Sequence, residues 1–198
     1  MKKVLPLLII MCSVTLFGFT YKEGISKCYI SFNKATGFKK ARPERLPETS
    51  DKSRILNTAN GDVTLTIVDG YRVLYLNKKK VPFVNMKVEL SDPANYKADQ
   101  QNILENLKYL NAGSTGMESK DLIQLDYNGF KVYGLSRASI ESGSTLGTFV
   151  MFPGNNTIVY LYFNNLNPEL SNFTSIEDYK AQRNTFIGEY TAYLKNCK

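Results

Sequence analysis

Residues 122–135 read Leu-Ile-Gln-Leu-Asp-Tyr-Asn-Gly-Phe-Lys-Val-Tyr-Gly-Leu, two alternating runs on either side of Asn128-Gly129. Asn-Gly suits a two-residue primed turn, in which both central residues take positive φ. The stretch therefore predicts an antiparallel hairpin, Leu122–Tyr127 against Phe130–Leu135. Downstream, a Ser- and Gly-rich loop at Ser136–Ser144 leads to a further hairpin, Thr145–Phe152 against Thr157–Phe163, joined by Pro153-Gly154-Asn155-Asn156. Upstream, Val63, Leu65 and Ile67 alternate, Asp69-Gly70 reads as another two-residue turn, and Tyr71, Val73 and Tyr75 alternate again. After a break at Lys78-Lys79-Lys80, the strand Phe83–Leu90 places Val84, Met86, Val88 and Leu90 on one face. Asn85, Lys87 and Glu89 fall on the other.

Helical spacing replaces this period twice. Tyr96, Ile103, Leu104, Leu107 and Leu110 form one stripe after Ser91-Asp92-Pro93, with an end near Asn111 and Gly113 as terminator. The closing helix opens at Ser175 before Asp178, or at Thr174 before Glu177, each pairing a capping hydroxyl with an acid in the first turn. Its stripe is Ile176, Tyr179, Phe186, Tyr190, Tyr193 and Cys197; Arg183 interrupts it and must snorkel outward or find an acid. Lys27–Asn33 reads as a first strand, and residues 34–60 as a long polar connection over the surface. The order gives an α+β fold, one domain, with an antiparallel sheet of about six to eight strands packed by two amphipathic helices. The chain divides into residues 1–20, an N-terminal strand and connection at 21–60, and an α+β core at 61–198.

Residues 1–20 look like a secretory leader: Lys2 and Lys3 precede an apolar run from Val4 to Phe17. The run is short of the roughly 20 apolar residues of a membrane span. Export to the periplasm or the extracellular space is the expectation, with no span after cleavage and an uncleaved anchor as the alternative. Cys12 lacks the small residue that lipidation wants before it, because Ile9-Ile10-Met11 precede it, so it reads as part of the apolar run. Loss of the leader lowers the net charge from +7 to +5 and leaves two cysteines. In an exported chain Cys28 and Cys197 read as a disulfide, two free thiols being the alternative.

The chain of 198 residues contains no histidine, which excludes Ser-His and Cys-His catalysis and His-ligated zinc. No metal or cofactor site is expected, since the two cysteines lack knuckle spacing and the carboxylates are scattered. Gly113-x-x-Gly116 follows a helix instead of opening one, which argues against a phosphate loop. Ser50-Asp-Lys-Ser lies in the polar connection, so a Ser-Lys or carboxylate hydrolase stays only as a remote alternative. Lys39-Lys40-Ala41-Arg42 and Lys78–Lys80 sit among acids or in turns, and nucleic acid is not an expected partner.

Phe173-x-Ser175-Ile176-Glu177-Asp178-Tyr179 opens a terminal amphipathic helix, and the Asn128-Gly129 hairpin is followed by Phe149 and Ile158–Phe163. Taken with the element order over residues 62–197, this resembles the PsbP-like fold. That superfamily includes extrinsic photosystem subunits, exported bacterial lipoproteins and a nuclear transport factor. The resemblance implies an accessory or binding role without catalysis. It transfers no site residue, because the imidazole ligands of some members have no counterpart here.

Tyr160 and Tyr162 share a strand face, and Tyr71, Tyr75, Tyr127 and Tyr133 are candidates to extend it. Such an aromatic face suits a protein, a glycan or an apolar ligand, although cross-strand tyrosine pairs also stabilise a sheet that binds nothing. The expected function is that of a monomeric, exported, non-catalytic binding protein working through this face. A small apolar-ligand carrier with a pocket between sheet and helices is the alternative.

Overall fold

A computed structural model describes residues 24–46, 53–140, 145–165, 168–170 and 173–197. Residues 1–20, read above as a leader and containing Cys12, together with Ser50-Asp-Lys and the end of the Ser136–Ser144 loop, lie outside the described residues. The elements are α1 (Lys27–Ser31), β1 (Lys39–Lys40), β2 (Glu44–Arg45), β3 (Ser53–Thr58), β4 (Gly61–Leu76), β5 (Pro82–Ser91) and α2 (Tyr96–Ala112). Then come β6 (Ile123–Tyr127), β7 (Phe130–Ser136), β8 (Thr145–Gly154), β9 (Thr157–Asn164), a 3₁₀ turn (Pro168–Leu170) and α3 (Ile176–Leu194). One antiparallel sheet runs β1-β4-β5-β9-β8-β7-β6, with β2 and β3 also paired to β4. The fold is α+β.

Turn chemistry sets the hairpins. Asn128 and Gly129 take φ of 56° and 86°, as a type I′ turn requires, and Tyr127 pairs with Phe130. The next hairpin is tighter than Pro153–Asn156 suggests: Asn155 and Asn156, at φ of 48° and 53°, make the turn, and the strand runs on through Gly154, itself at φ of 112°. Pro153 is tolerated because it falls within a register shift between Met151 and Gly154, where no ladder hydrogen bond is lost.

Three N-terminal expectations are corrected. Lys27–Asn33 is not a strand: Ser26 caps α1, and Ile25, Tyr29, Ile30 and Phe32 are buried while Lys27 and Ser31 face solvent. An alternation of so few residues does not distinguish period 2 from one helical turn. Asp69-Gly70 is not a turn either. It lies inside the 16-residue β4, next to a register shift between Ile67 and Asp69. Asp69 accepts from the Ile25 amide (3.3 Å) and from Arg45 (3.1 Å), so it tethers the N-terminal segment instead of reversing the chain. Finally, residues 34–60 are not simply a connection: β1, β2 and β3 all pair with β4, Phe38 stacks on Phe83 at 4.2 Å, and Thr36 bonds Glu189. Polar residues disguise these strands because they lie along the sheet edge, where water covers one side.

Two cores flank the sheet. The larger lies under α1 and α3 and gathers Val73, Tyr75, Val84, Met86, Val88, Phe149, Leu161 and Phe163 with Tyr179, Phe186 and Tyr190. The smaller lies under α2 and gathers Leu56, Leu65, Ile103, Leu107, Val150, Ile158 and Tyr160. At the entry to α3 the Ser175 hydroxyl accepts the Asp178 amide (3.2 Å), and Asp178 accepts the Thr174 amide in return (3.0 Å). The Cys28–Cys197 disulfide joins α1 to the end of α3, while the Tyr75 and Tyr190 hydroxyls donate to the Phe32 and Tyr29 carbonyls.

Two glycines predict opposite outcomes. A Cβ on Gly134 would lie 2.3 Å from the Phe149 ring and 2.6 Å from the Thr148 carbonyl, whereas one on Gly188 meets nothing closer than 3.7 Å. Gly134→Ala is expected to destabilise by about 1–3 kcal/mol, and Gly188→Ala, inside α3, to stabilise by up to about 1 kcal/mol, both read by urea denaturation. Cys28→Ser is expected to cost about 2–5 kcal/mol, and reductant should then shift the parent's denaturation midpoint but not the variant's.

Candidate functional site

Strand register divides the six tyrosines between the two faces. Tyr71 and Tyr75 oppose Val88 and Val84, so both turn toward α3, and Tyr75 is fully buried there. Tyr127 packs on the same core beside Gly188. Tyr133, Tyr160 and Tyr162 turn toward α2. The six residues therefore form no single surface. Tyr71 pairs with an apolar position of β5 while Tyr160 pairs with Lys87, and that parity separates them. Tyr160 is itself covered, with 4% exposure.

The α2-side face is ordered in rows. Arg72, Lys87, Tyr160, Val150 and Tyr133 are successive partners across β4, β5, β9, β8 and β7. The next row is Leu74, Asn85, Tyr162, Thr148 and Leu135. Lys87 bonds Glu89 at 2.9 Å, and Arg54 reaches the other Glu89 oxygen at 3.5 Å. Both cations also lie over the Tyr160 ring, Lys87 Nζ at 4.5 Å and Arg54 Cζ at 5.3 Å from its centroid. Tyr162 stacks beside Tyr160 with ring planes 10° apart. Burial pulls the Lys87 amine below its usual range against the opposing attraction of Glu89. Burial likewise pushes the Tyr162 hydroxyl up, with the Arg54 charge working the other way.

Beyond this cluster the face opens into a groove of about 320 Å³, lined by Arg72, Asn85, Lys87, Thr145, Tyr162 and Asn164. The Asn85 Oδ1 atom is buried with no hydrogen-bond partner, and so is the Tyr160 hydroxyl beneath the two cations. Sequence reasoning missed Arg72, Asn85, Lys87 and Asn164 as site residues. The polar alternation Asn85-Lys87-Glu89 was visible, but it reads as a solvent face unless the strand is known to be central and covered. A second cavity, of about 530 Å³, lies between α2 and the β6–β7 hairpin and is lined by Leu104, Lys108, Leu122 and Tyr133 among others.

No protein-family model, curated protein or solved structure matches this chain. Among the described residues no three His, Cys, Asp or Glu side chains gather to hold a metal ion, and no helix is long and apolar enough to cross a membrane.

On the opposite face, Arg183 has found its acid. It is 3% exposed and donates to Glu118 at 3.1 Å and to Ser136 Oγ at 3.2 Å, with its guanidinium 5.1 Å from the Phe149 ring centroid. Lys180 holds the other Glu118 oxygen at 3.2 Å. Ser136 Oγ donates to the Leu146 carbonyl and contacts Tyr179, whose hydroxyl burial pushes up to about 12. These contacts tie α3 to β7.

Burial alone would raise the Glu118 carboxyl, but Arg183 and Lys180 together outweigh it and hold the group below its usual range. Its stabilisation is complete above the unfolded pKa of about 4.3 and is lost as pH falls through the lower folded value. Glu118→Gln is expected to flatten the acid limb of the stability curve. At neutral pH it should cost about 1–3 kcal/mol, less than a fully buried pair because Glu118 keeps 23% exposure. Asp99, whose carboxyl burial pushes up, contributes the opposite slope, so the difference between variant and parent in denaturation across pH is the quantity to read.

Proposed function

We propose that this chain is an exported, non-catalytic binding module, periplasmic or secreted, whose ligand docks in the Tyr162 groove on the α2 side of the sheet. The observation that carries the reading is the groove's unmet polarity: buried Asn85 Oδ1 has no partner beside an open cavity lined by Tyr162 and two cations. Buried polar groups without partners are uncommon in folded proteins, and a ligand that supplies the missing hydrogen bond gains by it. The Cys28–Cys197 disulfide and the leader-type composition of residues 1–20 support export. An antiparallel sheet with helices on both faces supports the PsbP-like reading of the architecture and the accessory role that goes with it.

One further reading has an observation of its own. The cavity between α2 and the β6–β7 hairpin, with Leu104, Leu122 and Tyr133 in its wall, suits a small apolar ligand.

Chemical-shift mapping separates the two. Titration of the labelled, oxidised chain with a soluble envelope extract should move amides of Asn85, Lys87, Tyr162 and Asn164, and Asn85→Leu should weaken the response several-fold. Shifts confined to Leu104, Leu122 and Tyr133 would support the apolar carrier instead, and an extract that leaves both sets unmoved would overturn both.

A further inference from the structure

The charge balance around the groove is uneven. Glu89 is fully engaged, with Lys87 on one oxygen and Arg54 on the other. Arg72 stands in the same row as Lys87, is exposed, and has no carboxylate within ion-pair distance among the described residues. The groove lining contains two cations and no acid. Lys87 is the more telling of the two. Its amine is kept in a site dry enough to disfavour its charge although Glu89 is already bound to it. An anion entering from the groove side would restore what burial removes, because charge attraction is strongest where water is scarce.

The remaining lining groups narrow the class. Asn85 Oδ1 is an acceptor awaiting a donor, the Asn164 amide and the Thr145 hydroxyl line the far wall, and Tyr162 contributes an aromatic surface. A simple inorganic anion has no hydrogen to give Asn85 when fully ionised and nothing to lay against a ring. A sugar ring supplies hydroxyl donors, C–H faces for Tyr162 and, when acidic, the negative charge. Pockets for larger organic ligands run from about 300 to 1,000 Å³, and this one lies at the small end of that range, in keeping with one or two sugar rings.

We propose that the groove binds an acidic saccharide residue, its carboxylate or phosphate seated between Arg72 and Lys87 and a ring hydroxyl donated to Asn85. This rests on the reading of the groove as the working site and adds the ligand's chemical class. Glu44, the partner of Arg72 across the β2–β4 ladder, is exposed and forms no ion pair among the described residues, which places a negative charge at the rim of the site. It should oppose the anion without touching it.

The test is a titration of the full, oxidised chain, followed by backbone amide shifts, with galacturonate, glucose 6-phosphate, galactose and inorganic phosphate. Either acidic sugar should move the amides of Arg72, Asn85, Lys87 and Tyr162 at millimolar concentration. Tenfold weaker binding is expected in Arg72→Gln and on raising salt, and about twofold tighter binding in Glu44→Gln. Which acidic sugar binds distinguishes carboxylate from phosphate. Arg72 is exposed, so an unchanged thermal midpoint in Arg72→Gln certifies the fold. Galactose binding equally, with no effect of Arg72→Gln, would overturn the inference about charge while leaving the groove as the binding site. Inorganic phosphate binding as tightly as the acidic sugars would overturn the saccharide. None of the four moving these amides, while the envelope extract does move them, would overturn the ligand class alone; both failing together would overturn the site.

Discussion

The pairing of β5 with β9 is the constraint on which the rest of the molecule depends. These two strands lie in the middle of the sheet, and alternate residues must face opposite sides. On one side the alternation delivers Val84, Met86 and Val88 against Val159, Leu161 and Phe163, an apolar floor on which α3 is laid. On the other it delivers Asn85, Lys87 and Glu89 against Ile158, Tyr160 and Tyr162. A one-residue slip would exchange the two sets and bury three polar side chains beneath α3. Register, core and groove are therefore settled by the same set of backbone hydrogen bonds.

The two faces solve burial differently. Under α3, aromatic rings meet edge to face, as Phe149 and Phe186 do against Phe163, and the buried cation Arg183 is held by Glu118, Ser136 and two ring faces. Under α2 Lys87 and Arg54 share Glu89 and lean on Tyr160, and the row beyond them is incompletely covered. The helix packs chiefly on β3, with smaller contacts to β4 and β7, so the far end of β5 and β9 is left open. The groove exists because α2 crosses only one end of the sheet.

How much of this was legible in the chain follows from which signals are local. Asn128-Gly129 and the Ser175–Asp178 cap work through neighbours within a few residues, and both appear where the residues predict them. Asp69-Gly70 carries the same local signature but is overridden, because Ile25 and Arg45, distant in sequence, use the Asp69 carboxylate and Gly70 lies against Leu46. The short strands β1 and β2 have no pattern of their own; only the length of β4 creates partners for them. Strand parity assigned Tyr160 and Tyr162 to one face correctly, yet parity within a strand says nothing about parity between strands. The fate of Tyr71 and Tyr75 therefore waited on the β4–β5 register. The groove depends on where α2 comes to rest, and no residue spacing encodes that.

The disulfide between Cys28 and Cys197 spans 169 residues of sequence. It turns nearly all of the described chain into a covalent ring with the sheet strung inside it. Tension applied through the segments outside that ring would pass across one sulfur–sulfur bond and bypass the strands, so the β-ladders need not resist it. It also means that the bond cannot close until Cys197 has been synthesised, so sealing the ring must come after the rest of the chain between the two cysteines has been made.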